Sequence, residues 1–197
     1  MGYQVQNFTR TEMSPVLKWQ ILTAMRFIWP EGFEGVNLDR TWICPGEFYP
    51  LHFIATDFTR DGSSKSAKIV ISHGAVLQRD LMHCGETFRV LGLGGVYTLP
   101  AFRHSGVASD LVMKATDHIL TRPRADVAIA TCRPELVGWY SRFGWVPIKE
   151  GRIIPTTETE NGQPLDEVLL MLFISEKGRR AETLFREEPI YFGRDVW

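Results

Sequence analysis

The stretch Gly94-Gly95-Val96-Tyr97-Thr98-Leu99-Pro100-Ala101-Phe102-Arg103-His104-Ser105-Gly106-Val107-Ala108 places the end of a strand, a tight turn and the start of a helix side by side. Gly92, Gly94 and Gly95 weaken a strand unless a bulge or a closely approaching ligand requires them. After Pro100 the pattern changes. Val107, Ala108, Leu111, Val112, Ala115 and Ile119 recur at helical spacing until Pro123 ends the element. The opening N–H groups of such a helix have no intrahelical acceptor, and a turn without bulky obstruction makes its N-terminus an anion site that suits a diphosphate.

Outward from this stretch the chain alternates between strand and helix patterns. Ser14-Pro15 followed by Val16, Leu17, Ile21, Leu22, Met25 and Ile28 supplies an N-cap, a first-turn proline and an apolar helical face. Pro30 stops that helix, and the segment to Pro50 reads as irregular or as a short second helix. Leu51–Phe58, Lys68–Leu81 and Phe88–Thr98 are rich in Val, Ile, Thr and aromatics and are interrupted at Asp61-Gly62 and Cys84-Gly85, which predicts three antiparallel strands. Beyond the second helix come an apolar strand at Val127–Ala130, a short helix over Pro134–Phe143 with Gly144 past its end, and a strand at Val168–Ile174. No repeat or linker divides the sequence, so the expectation is one domain over 1–197 with a mixed sheet.

With 197 residues, 44% hydrophobic and 23% charged, the chain is long enough for a sizeable core and too apolar for disorder. A net charge of -1 and no block of like charge give no pull on polyanions, so nucleic acid is not an expected partner. Cys44, Cys84 and Cys132 are odd in number and widely spaced, against both a disulfide framework and a zinc site, and no metal is expected. Arg26 splits the apolar run from Ile21 to Trp29, and Gln6 breaks the acylation pattern that Met1-Gly2 opens. The expectation is a cytoplasmic protein without a membrane anchor.

Thr98-Leu99-Pro100 followed by Arg103-His104-Ser105-Gly106-Val107-Ala108 resembles the GNAT superfamily of acyl-CoA-dependent N-acyltransferases. That superfamily's turn reads Arg/Gln-x-x-Gly-x-Gly/Ala after a Val-x-Pro strand end. Trp139-Tyr140-Ser141-Arg142-Phe143-Gly144-Trp145 is similar to its Tyr-x-x-x-Gly-Phe segment, in the expected order. The resemblance covers about residues 50 to 150, and it departs at His104, where Gly is common, and at Ala108, which replaces the final Gly. It implies an α/β (α+β) fold with a mixed, mostly antiparallel central sheet flanked by helices, in which a splayed strand pair binds acyl-CoA.

By resemblance, Val96, Tyr97 and Thr98 bind the pantetheine and polarise the acyl carbonyl. Arg103, His104, Ser105, Gly106, Val107 and Ala108 then hold the diphosphate, and Tyr140 is the general acid for the departing thiolate. The strand from Arg89 to Thr98 lacks the superfamily's common carboxylate. His52, His73, His83 and Glu86 remain as candidate bases, beside a proton relayed through solvent, and each has an ordinary reading as a strand or turn residue. Cys132 reads as a small buried hydrophobe, with no partner that would make it a nucleophile.

Charge gives the hint of acceptor. Glu31, Glu34, Asp39 and Glu47 stand against Arg40, and Glu158, Glu160, Asp166 and Glu167 lie in a segment without Lys or Arg. These acids, with Trp42 among nearby aromatics as an apolar or cation-binding wall, point to a small cationic amine, and Glu31, Glu34 and Trp42 are the candidate contacts. The expected activity is transfer of an acetyl group from acetyl-CoA, as cosubstrate, to a primary amine. A non-catalytic acyl-CoA sensor, a transferase of longer acyl chains or one acting on protein amines stays open, as does a homodimer.

Overall fold

The computed structural model describes residues 2–35, 40–57, 68–149, 151–154 and 166–192. The fold is mixed α/β, with a mostly antiparallel central sheet and flanking helices. The chain divides into two compact units, one of Met1–Val76 and Gly95–Ala115, the other of Leu77–Gly94 and Thr116–Trp197.

In the first unit β1 (Tyr3–Thr9) pairs antiparallel with β2 (Leu51–Asp57), from Tyr3 on Asp57 to Thr9 on Leu51. β2 pairs antiparallel with β3 (Ile69–His83), with a register shift between Ala55 and Thr56, and β3 neighbours β4 (Glu86–Thr98). The helix α1 (Pro15–Ile28) starts as its sequence dictates: Leu17 N–H donates to the Ser14 hydroxyl, and proline fills the first turn. Its buried Ile21, Leu22 and Met25 join Met13, Phe33, Ile43, Ile54, Val70 and Tyr97 in one apolar cluster. At about 1.5–3 kcal/mol per fully buried side chain, this face outweighs helix propensity in holding α1. Gln20 adds a polar clasp, donating to the Lys68 carbonyl at 3.1 Å and accepting from Val70 N–H at 2.8 Å.

The helix expected after Pro100 is α2 (Val107–Leu120). Its first turn is tied to β1 by the Tyr3 hydroxyl, which donates to the Asp110 carboxylate. Between α1 and β2 the described residues form only short 3-10 turns, at Pro30–Phe33 and Gly46–Phe48.

In the second unit β3 and β4 are joined at Cys84 and Gly85, both with positive φ (49° and 79°), as a two-residue hairpin turn needs. β4 pairs parallel with β5 (Val127–Cys132), and β5 pairs antiparallel with β8 (Val168–Phe173). Between them in sequence lie α3 (Val137–Ser141), β6 (Val146–Ile148), which pairs with β8, and β7 (Ile153–Ile154). Asp126 stitches three elements, accepting from Arg89 N–H at 2.9 Å and the Ser175 hydroxyl at 2.7 Å through its carboxylate.

The sequence left open whether the segment from Gly178 onward packs on its own chain. As far as Phe192 it does: α4 (Glu176–Arg180), α5 (Glu182–Glu187) and β9 (Ile190–Tyr191) belong to the second unit, with β9 parallel to β7. Phe185, Ile190 and Phe192 are buried with Phe88, Val127, Ile129 and Met171, and the His83 ring stacks on Phe185 at 4.4 Å between centroids. Gly178 is required by space, because a Cβ there would lie 2.1 Å from the Asp126 carbonyl oxygen.

Candidate active site

β4 carries the first group of candidate residues. Its ladder with β5 covers Val90–Gly92 on Val127–Ile129, while the strand itself runs on to Thr98. Gly95 has φ +59°, in the left-handed region, and a Cβ there would meet His73 only at ordinary contact distance, 3.5 Å. Conformation, not crowding, therefore demands glycine at this position.

Two β3 side chains hold the carbonyls of the same stretch. The Ser72 hydroxyl donates to the Tyr97 carbonyl at 2.6 Å, which leaves the Thr98 hydroxyl to donate to Ser72 Oγ at 2.8 Å. His73 Nδ1 lies 2.9 Å from the Gly95 carbonyl oxygen. In a trans peptide the N–H points opposite the C=O of the preceding residue. The Val96 N–H is thus directed away from the His73 imidazole and the Thr98 N–H away from the Ser72 hydroxyl. Tyr97 itself is buried, packed edge-on to Trp29 at 6.3 Å.

The turn from Arg103 to Gly106 is exposed, and Val107, the first residue of α2, is buried. Arg103 Nε donates to the Thr98 carbonyl at 3.2 Å, and the Ser105 hydroxyl donates to the Phe102 carbonyl at 2.5 Å, so both side chains brace the turn. His104 has φ +62°, which explains why glycine is common there in the resembling sequences. Gly106 has φ +89° with open space where a Cβ would stand. Asp110 N–H donates to the Gly106 carbonyl at 3.0 Å, making Gly106 the cap of α2, with Ala108 in the opening turn. This exposed helix start fits a diphosphate: there are no side chains over Gly106, and the turn's own side chains fold back on it.

In the second unit, Tyr140 is buried on α3 and stacks edge-on against Trp139 at 4.7 Å. Burial first, then Cys132 and the Glu167 carboxylate, push its phenol pKa up, so it holds its proton at neutral pH. Gly144 (φ +88°) ends this helical stretch, and Trp145, buried, donates from Nε1 to the Thr116 hydroxyl at 3.0 Å. The Cys132 thiol is pushed up to about 11, chiefly by burial, which fits a small core residue and not a nucleophile.

Each candidate base has a packing or pairing role of its own. His52 and His73 are buried on β2 and β3, with pKa values lowered by burial to about 3 and about 4. His83 belongs to the stack on Phe185, and Glu86 faces the Lys177 ammonium at 3.5 Å. What sequence reasoning missed is that Ser72 and His73 act on the β4 backbone, since only strand register brings them there.

The acceptor contacts divide. Glu31 and Glu34 are exposed in the first unit. The Trp42 ring is already faced by Arg10 at 4.0 Å and by Lys18 at 4.6 Å, and Phe33 by Arg26 at 5.0 Å and Arg40 at 5.3 Å. The expected cation-binding wall is therefore occupied by the chain's own cations. Asp39, Glu158 and Glu160 lie outside the described residues.

Residues 64–148 match the family model described as an acetyltransferase (GNAT) domain. A comparison with curated proteins finds no match. Among solved structures, Escherichia coli ElaA superposes with a TM-score of 0.57 at 15% identity, covering 86% of this chain and 99% of its own. Arabidopsis thaliana NAA60 in complex with a bisubstrate analogue gives 0.60 at 14% identity, with 87% and 100% covered. The spermidine N-acetyltransferase from Vibrio cholerae, in complex with CoA and spermine, gives 0.53 at 16%, with 89% and 97% covered. At these identities the likeness is one of fold.

Proposed function

We propose that this chain, whose residues 64–148 match the family model described as an acetyltransferase (GNAT) domain, is an acyl-CoA-dependent N-acyltransferase that moves an acetyl group from acetyl-CoA to a primary amine of a small cationic acceptor. The observation that carries the reading is the β4 backbone from Gly95 to Thr98, whose carbonyls are held by His73 and Ser72. Acetyl-CoA supplies the activated thioester. Val96 to Thr98 offer backbone N–H groups to the pantetheine and the acyl oxygen, and Arg103 to Ala108 hold the diphosphate at the start of α2.

The neutral amine attacks the thioester carbonyl carbon, a C–N bond forms and the C–S bond breaks. Tyr140, protonated by virtue of its burial, gives its proton to the departing thiolate. The amine's surplus proton passes to water, because no carboxylate lies between Arg89 and Thr98 and the two β-strand histidines are buried.

Glu31 and Glu34 are the charges that draw an ammonium towards the first unit. Trp42, with its ring already taken, leaves this set. We assign the two units to one functional domain over 1–197 and the protein to the cytoplasm, where Cys44, Cys84 and Cys132 stay reduced. Among the described residues no helix is long and apolar enough to cross a membrane.

The missing carboxylate favours one second reading, a sensor that binds acetyl-CoA without turnover. Free-thiol release from acetyl-CoA across cationic, neutral and anionic amines separates the two. Release with cationic amines, falling as salt rises, supports the transferase with its acidic contacts; binding without release in every case supports the sensor.

A further inference from the structure

His52 and His73 are both buried, 1% and 0% exposed, on adjacent strands. Their registers place His52 opposite Ala75 and His73 opposite Ile54, so the two are diagonal neighbours on one face of the pair. His52 Nδ1 lies 3.1 Å from His73 Nε2, and His73 Nδ1 lies 2.9 Å from the Gly95 carbonyl oxygen. Two buried imidazoles are a costly way to fill an apolar layer, and neither serves as the base in the reaction above.

The direction of the chain of hydrogen bonds follows from its last member. A carbonyl oxygen only accepts, so His73 Nδ1 carries the hydrogen. Burial keeps the ring neutral, so its Nε2 is an acceptor, and His52 Nδ1 must be the donor to it. Both hydrogen bonds therefore run from His52 towards Gly95. The Gly95 carbonyl belongs to the same planar amide as the Val96 N–H, which points the opposite way. Accepting a hydrogen bond at one end of an amide makes its N–H a better donor at the other.

Resting on the acyltransferase reading, we propose that His52 and His73 are positioning residues that aim and polarise the Val96 N–H towards the thioester carbonyl. His73 holds the carbonyl of the left-handed Gly95, and His52 fixes the tautomer of His73. The donors His52 Nδ1–H, His73 Nδ1–H and Val96 N–H all point in sequence at the oxygen where negative charge develops. Preorganised donors of this kind act at the transition state and add little to ground-state affinity.

The test uses the full chain and acetyl-CoA labelled at the acyl carbonyl, read by difference infrared spectroscopy beside kcat, amine KM and calorimetric Kd. In the parent, binding moves the labelled carbonyl band to lower wavenumber. His73→Leu, which has no donor, is expected to lose most of that displacement and about ten- to a hundred-fold in kcat, with Kd changed less than about three-fold. His73→Asn, whose amide N–H sits near the Nδ1 position, is expected to recover a substantial part of both. His52→Leu is expected to fall between parent and His73→Leu, and it carries the test if His73→Leu does not fold. Retention of the band displacement and kcat in His73→Leu, or in His52→Leu where that variant stands in, overturns the proposal. Equal damage in His73→Leu and His73→Asn with a matching loss of Kd also overturns it, in favour of simple packing. A parent that neither binds acetyl-CoA nor releases thiol brings down the acyltransferase reading, a result distinct from either of these.

Discussion

The Ser72 hydroxyl and the Tyr97 carbonyl form a 2.6 Å hydrogen bond, with the donor on β3 and the acceptor on β4. The Ser72 side chain thus reaches the β4 backbone close to the left-handed Gly95. Ser72→Ala leaves that carbonyl and the Thr98 hydroxyl short of a partner, at a cost of about 1–3 kcal/mol. Urea unfolding measures the loss. A rise of a few-fold in acetyl-CoA KM should accompany it if Thr98 N–H is a pantetheine contact, and an unchanged KM would confine Ser72 to stability.

At the turn, two residues with positive φ give opposite expectations. His104→Gly relieves the left-handed strain of a side chain but loosens the unfolded chain, for a net gain of about 0.5–1 kcal/mol. CoA affinity should hold unless the imidazole itself touches phosphate. Gly106→Asp adds strain at φ +89° and a carboxylate at the anion site, and CoA Kd should rise at least ten-fold. Calorimetry on the folded variant that shows no change would remove the turn from the cofactor site.

How much of this was legible depends on the range of the interaction. The α1 cap, the α2 periodicity and the two-residue turn at Cys84 and Gly85 are local, and the sequence displays each. β1 escaped notice because its Gln4, Gln6 and Asn7 dilute the apolar signal of a strand. α4 and α5, of five and six residues, are too short to show a helical period, and the burial of Phe185 and Phe192 depends on strands about a hundred residues away in sequence. The turn at 103–106 announced itself through glycine and arginine. The bond from His73 to Gly95 did not, since it joins residues 22 apart through a register that composition does not encode. Trp42 misled because an aromatic among acids reads as a cation site, whereas Arg10 and Lys18 reach it from elsewhere in the chain.

Gly178 tests the docking of the last helices. A methyl group there would overlap the Asp126 carbonyl oxygen, which also accepts from the N–H groups of Ile174 and Ser175 at 2.9 and 3.1 Å. Gly178→Ala should destabilise by about 1–3 kcal/mol, as overpacking does, and lower Tm in calorimetry. A neutral result would mean that α4 shifts without cost.

Tyr140→Phe removes a hydroxyl and leaves the ring stacked on Trp139. If the phenol protonates the departing thiolate, kcat should drop by about a hundred- to ten-thousand-fold with acetyl-CoA Kd nearly unchanged. A thioester analogue whose thiol is a better leaving group should recover much of the loss. Equal kcat in variant and parent would return Tyr140 to packing alone.

The two buried histidines also set an acid limit on stability. In the unfolded chain each titrates near 6.5, while in the folded protein burial lowers His52 to about 3 and His73 to about 4, with the Arg10 charge acting further on His52. Below pH 6.5 the unfolded state therefore binds more protons than the native one, and stability falls as pH falls. The contribution is intact above pH 6.5 and is lost progressively down to about pH 4 for His73 and about pH 3 for His52. Each histidine adds a slope approaching about 1.4 kcal/mol per pH unit within its window. Carboxylates begin to protonate below about pH 5, so urea midpoints between pH 7.5 and 5.5 exclude them, and the half-buried His118, lowered by burial and by Arg122, adds a slope of the same sign that both parent and variant share. Replacing both residues, as His52→Gln with His73→Asn, removes their titration and should cut the slope in that interval to what His118 leaves. A steep slope that survives the double substitution would place the acid sensitivity elsewhere and show that the pair is not held neutral by the fold.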